Sequence, residues 1–233
     1  MADDPLTDEL VGLVPPDLRD VSGHLLYTGR DAWTGPSPLY LMGVNPGGDP
    51  DVIRETVTSS TERILRHEAA NWSAYRDDRW TYPSGGTRPP GTAPMQQNVL
   101  HMLSTLGLDP GTVPASNLVF VRSRAEGDIP RQQMRALAEA CWPFHRGVID
   151  RLGIRVVVCF GGTAGDFVRA NIGARHEVDR FVEANGRGWT SRTYRGRSGV
   201  KVVQVTHPSR AMWLNPAADV SPPIGRALGD AVG

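Results

Sequence analysis

The 233-residue sequence predicts an α/β fold, a three-layer α/β/α sandwich around a central, mainly four-stranded parallel sheet. Three observations lead there. Four short apolar runs rich in β-branched residues read as strands buried on both faces. Stretches of helical period lie between them. The two kinds of segment alternate along the chain, which is the pattern of a layered α/β domain. The runs are 39–44 (LYLMGV), 117–121 (NLVFV), 155–160 (RVVVCF) and 201–206 (KVVQVT).

Taken in order, residues 1–30 read as an N-terminal extension of one domain that spans 1–233. The opening MADDPLTDEL is acidic and lacks the basic and apolar regions of a secretory signal, so a cytoplasmic location is expected. Residues 76–94 are rich in Gly and Pro and read as a long surface loop. A helix follows over 97–106 (QNVLHMLSTL) and stops at Gly107. Residues 130–152 start on Pro130, a favoured first helical position, and set Met134, Leu137, Ala138, Cys141 and Trp142 on one stripe. Pro143 inside that stretch predicts a kink or a break into two helices. A shorter helix is expected from Thr163 to Asn171, and a second surface loop over 185–200, forming a hairpin into the last strand.

Composition excludes several classes. Cys141 and Cys159 are the only cysteines, too few for a disulfide framework or a Cys-ligated cluster. No stretch approaches the roughly 20 apolar residues of a membrane span. Acidic and basic residues balance at 25 each, so net charge neither announces nor excludes an anionic partner. Charge is uneven locally: Arg180, Arg187, Arg192, Arg195, Arg197 and Lys201 face one acid, Glu183. Such a segment reads as a solvated loop or as the positive flank of a nucleic-acid groove.

Two strand exits carry the chemistry. The first, GVNPGGDP (43–50), lacks the Gly-Lys-Ser/Thr of a phosphate-binding P-loop. Pro46 holds Asn45 extended at the strand end, and Gly47 and Gly48 let a ligand approach bare backbone. The last, VTHPSR (205–210), sets His207 directly after a strand, with Pro208 stiffening the exit and Ser209 offering a hydroxyl and an N–H. Alone, each reads equally as a structural turn. A dinucleotide-type turn at CFGGTAG (159–165) does not fit, because Phe160 occupies the place of the first fingerprint glycine.

GVNPG and HPS, with SNLVFVRS (116–123) and the Gly-bearing VVVCFGGTAGDFV between them, resemble the signature segments of the uracil-DNA glycosylase superfamily, in the same order over residues 39–210. The branch is unassigned: four Cys ligands of the cluster-bearing branches are missing, and Arg210 and Ala211 follow HPS where one branch has Pro and an apolar wedge. The resemblance implies a monofunctional, monomeric glycosylase acting on DNA that contains uracil or another damaged base, with no cofactor, no metal and no membrane association. Asn45 would position the attacking water. His207, as neutral imidazole, would donate to the base oxygen that gains charge. Asn117 would read the base edge, and Gly43, Val44 and Pro46 would shape the pocket around Asn45. Backbone N–H groups at Gly47, Gly48 and Ser209 would hold phosphates. Tyr82, Trp80 or Tyr75 would supply the aromatic platform, Arg210 a phosphate or orphan-base contact, and Met212 or Trp213 the wedge. The competing expectation is a binding module that keeps the architecture without excision.

Overall fold

The computed structural model describes residues 5–81 and 86–229. In chain order the elements are α1 (Pro5–Gly12), β1 (Leu39–Gly43), α2 (Val57–Arg66), β2 (Trp80–Thr81), β3 (Thr87–Arg88), α3 (Pro94–Thr105) and β4 (Ala115–Asn117). They continue with α4 (Arg131–Arg151), β5 (Val156–Phe160), α5 (Gly162–Ile172), β6 (His176–Val182), β7 (Thr190–Arg195), β8 (Lys201–Val205) and α6 (Ser221–Gly229). The main sheet runs β4-β1-β5-β8-β7-β6. Its first four strands are parallel, whereas β7 is antiparallel to β8 and to β6.

The layers follow from alternation along buried strands. Tyr40, Met42, Val157, Cys159 and Val202 face a core built with α1, α2, α4 and α5. Leu39, Leu41, Val156, Val158, Phe160, Val203 and Val205 face a second core built with α3 and α6. Because both faces are covered, β1 and β5 are buried at every residue. Cys141 and Cys159 are free and buried, and burial pushes the Cys141 thiol up to about 12.

Several expectations change. The sheet has six strands rather than four: the 185–200 segment is the second half of a hairpin that begins at His176. The 76–94 loop contains the small β2–β3 ladder, pairing Trp80 with Arg88 and Thr81 with Thr87. Residues 130–152 form one helix through Pro143, whose position is exposed, so water can meet the carbonyl that its missing N–H leaves free. The N-terminal segment is no appendage, since Leu10, Leu25 and Leu26 are buried in the first core. Residues 22–28 also line the outer side of β4 and its continuation: Tyr27 N–H donates to Ala115 O (2.9 Å), His24 N–H to Phe120 O (2.9 Å), and Ser116 Oγ to Leu25 O (2.6 Å). At the other edge, β6 carries a register shift between Glu177 and Asp179. Among the described residues no helix is long and apolar enough to cross a membrane.

Candidate functional site

All four parallel strands end at the same edge of the sheet, and their exits bring the two signature turns to that edge. β5 lies between β1 and β8, so two strand spacings, roughly 10 Å, separate the start of the Asn45 turn from the start of the His207 turn.

The β1 exit is joined to the segment after β4. Asn45 Nδ2 donates to Ser123 Oγ at 2.7 Å and lies 3.2 Å from Pro46 O. Ser123 N–H donates to Pro46 O (3.1 Å), Ser123 Oγ donates to Ala125 O (2.7 Å), and Gly47 bridges to Ser123. These bonds turn the Asn45 amide so that its nitrogen faces its own loop. Its Oδ1 accepts nothing among the described residues. Arg124 ties the same loop further out, through Asp49 (2.8 Å) and Asp51 (3.0 Å). Gly48 has φ +110°, and a Cβ there would meet Ile53 Cδ1 at 2.6 Å, so the bare backbone answers both strain and space.

Asn117 pairs in register with Gly43, and its Oδ1 packs against that glycine so closely that a Cβ at 43 would lie 2.0 Å away. Gly43 is thus glycine because Asn117 needs the room. Asn117 Nδ2 donates to Tyr27 Oη at 2.8 Å, and Asn117 is buried. The Tyr27 ring packs edge-on to His24 (4.7 Å) and stacks with Tyr75 (6.4 Å). Burial pushes the Tyr27 phenol up to about 12, against the lowering pull of the Arg122 charge and the Asn117 bond. Val44 and Pro46 are buried beneath the turn.

At the β8 exit, His207 Nδ1 accepts from Ser209 N–H (3.2 Å) and lies 2.8 Å from Ser209 Oγ. An Nδ1 that accepts from a backbone N–H carries no proton, so the ring proton sits on Nε2. Burial lowers the His207 pKa; the Glu126 charge opposes this and the Arg210 charge adds to it. The imidazole is therefore neutral at neutral pH. Glu126 reaches the site from the segment after β4, accepting from Thr163 Oγ1 (2.5 Å) at the first turn of α5.

The last loop is pinned from two sides. Asn98 on α3, buried, donates to Pro208 O (2.8 Å) and Ala211 O (3.2 Å) and accepts from Trp213 N–H (3.0 Å). Arg187, in the β6–β7 turn, donates to Arg210 O (2.8 Å) and pairs with the buried Glu183 carboxylate (2.9 Å). A cleft of about 260 Å³ opens beside Thr206, lined also by Gly161, Gly162, Trp189 and Gln204. Asn45, Asn117 and His207 do not line it.

The aromatic and wedge expectations resolve unevenly. Tyr75 is buried in the second core and stacks on Tyr27; Trp80 packs partly against that core; Tyr82 lies outside the described residues. Trp213 is fully buried against Phe160 and is not available to intrude into DNA, which corrects its candidacy. Its neighbours Met212 and Leu214 are the exposed apolar residues of that loop, at 54% and 56%. Ser209 and Arg210 are exposed. The basic segment is no bare patch: Arg180 and Arg192 both meet Glu177, Arg187 meets Glu183, and Lys201 is buried with its Nζ on Ala227 O.

Tyr27, Arg122, Ser123, Glu126 and Asn98 also contact this site, though none stood out in the sequence. Arg122 and Ser123 belong to the SNLVFVRS segment already quoted, whereas Tyr27 sits in irregular chain with no motif to mark it. Among the described residues no cluster of three His, Cys, Asp or Glu side chains is placed to hold a metal ion. No known protein-family model matches the chain, and no curated protein is significantly similar to it.

Proposed function

We propose that this edge is the active site of a monofunctional DNA glycosylase that hydrolyses the N-glycosidic bond of uracil or a related damaged base. The observation that carries the reading is the pairing of two pre-oriented neutral groups at one sheet edge: an Asn45 oxygen without a donor, and a His207 ring whose proton sits on Nε2. Asn45 Oδ1 accepts a hydrogen bond from, and so positions, the water that attacks the sugar carbon as the base departs with the bonding electrons; the water's proton passes to solvent or to the departed base. An amide is no strong base, so the reaction depends on making the base a good leaving group. The Nε2–H of His207 donates to the base oxygen on which negative charge develops, and a neutral donor loses no proton to solvent while it waits. The second N–H of Asn117, whose first is on Tyr27, reads a carbonyl on the base edge and rejects an exocyclic amine there. Met212 and Leu214 occupy the gap left in the duplex by the extruded nucleotide.

The test is incubation with uracil-containing single- and double-stranded DNA followed by alkaline cleavage at abasic sites. Strand breaks that fall at least a hundredfold in Asn45→Ala and His207→Ala are the expected result. A second reading has its own support: Asn117 is buried with its amide engaged by Tyr27, as in a domain that binds nucleic acid without excising. Retained DNA binding with no breaks from the native protein would select that reading.

A further inference from the structure

The arginines at the site edge divide into two kinds. Arg124 and Arg187 each meet carboxylates, at 2.8 and 2.9 Å. Arg122 is different. It is partly buried, yet among the described residues no carboxylate lies within ion-pair distance of it. Its Nη1 donates to Gly47 O at 2.6 Å, and its Nε is buried with no acceptor. Its backbone N–H is tied to Ser22 O (2.9 Å), and the next residue is Ser123, the partner of Asn45. The buried Nε is out of a ligand's reach, whereas the exposed end of the guanidinium, held in place and without a counter-charge, is left to water and open to an anionic ligand.

The position selects the ligand. Arg122 lies along the Gly47–Gly48 turn, where Cβ placement at Gly48 would bring Nη1 to 3.5 Å and Cδ to 3.7 Å. Its contact with Gly47 is at the exposed end of the side chain, so the guanidinium tip is presented beside bare, solvent-reachable backbone. A planar fork of N–H donors next to a glycine turn suits a phosphate oxygen better than a neutral base edge. We propose that Arg122 is a phosphate-binding residue, taking a phosphodiester of the strand adjacent to the nucleotide held at Asn45. This rests on the nucleic-acid reading of the edge. The Nη1 bond to Gly47 makes the site pre-organised, since the side chain is already in place before a strand arrives.

The experiment measures fluorescence anisotropy of a short labelled oligo(dT) strand, which holds no uracil, over a range of salt. Arg122→Gln is expected to weaken binding about tenfold and to lower the slope of log affinity against log salt by about one. Arg122→Lys should keep the slope while losing part of the affinity, because an ammonium keeps the charge without the fork. Arg195→Gln, at the opposite end of the sheet, should change neither. Urea unfolding of each variant confirms that the fold is intact. Sodium phosphate at matched ionic strength should displace the strand no better than chloride; efficient displacement would make this a free-phosphate site and overturn the assignment to a strand. Binding that is equal in the native protein, Arg122→Gln and Arg122→Lys would also overturn it, and so would native protein that does not bind the strand. The two readings fail separately: Arg122-dependent binding without strand breaks in uracil DNA faults excision alone, and strand breaks with Arg122-independent binding fault this site alone.

Discussion

The first and last strand exits meet the same demand by different means. Asn45 is oriented by a side chain on the neighbouring segment, Ser123, and that segment is held in turn by the chain leading up to β1. His207 is oriented locally by Ser209, but its loop is held from a distance, by Asn98 on α3 and Arg187 in the β6–β7 turn. One exit is zipped to its neighbour and the other is hung from two remote anchors. The difference teaches that damage at the first exit should stay local, whereas damage to elements far from the second should reach it.

The largest expected effect concerns the first exit and pH. His145 on α4 lies 2.8 Å from Tyr40 Oη through Nδ1 and 3.0 Å from Leu118 O through Nε2, and so braces the residue after Asn117. Burial lowers its pKa from 6.5 to about 4. The unfolded chain therefore takes up a proton that the folded one refuses. Stability is complete above pH 6.5 and falls as pH drops towards 4, by about 3 kcal/mol in all from this group. Urea midpoints across that window measure it, and His145→Gln should flatten the curve; an unchanged slope would mean that the brace is not there.

Next in size is Arg187→Ala, which leaves the Glu183 carboxylate buried without its cation and frees Arg210 O. A loss of about 3 kcal/mol is expected by chemical unfolding. A weaker His207-dependent activity should accompany it while Asn45-loop amides keep their hydrogen-exchange protection. If protection around Asn45 collapses too, the two exits are not independent. Asn98→Ala should cost about 2 kcal/mol, because two carbonyls and one N–H of the last loop lose their partner inside the protein. The smallest change is Ser123→Ala, about 1 kcal/mol. Its sharper readout is activity: kcat should fall with KM nearly unchanged, since the Asn45 amide loses the acceptor that orients it. Rescue by Ser123→Thr, which restores the hydroxyl, separates orientation from packing.

How much of this was legible in the sequence depends on what wrote the signal. β1, β5 and β8 are buried on both faces, so their composition alone announced them within a residue or so. β4 was placed too late, over 117–121 instead of Ala115–Asn117, because the apolar run continues after ladder pairing ends. β6 left no apolar run at all, since its residues alternate between exposed and half-buried. Asn45 and His207 are legible as polar residues at strand exits beside Pro, and Asn117 through the resemblance carried by SNLVFVRS. Tyr27 is not, because it reaches Asn117 from eighteen residues before Asn45 along chain without regular period. Trp213 is a wedge candidate in the sequence because it follows HPS closely, but its ring is buried on Phe160.

The two borders of the main sheet also differ in what they permit. Beyond β4 the backbone is already occupied by residues 22–28. Beyond β6 nothing pairs among the described residues, and the border is instead kinked between Glu177 and Asp179 and flanked by charges that include Arg180 and Arg226. A broken hydrogen-bond rhythm hedged by charge is a poor template for a further strand, so this border resists the open-ended stacking of copies that an even, apolar one would invite.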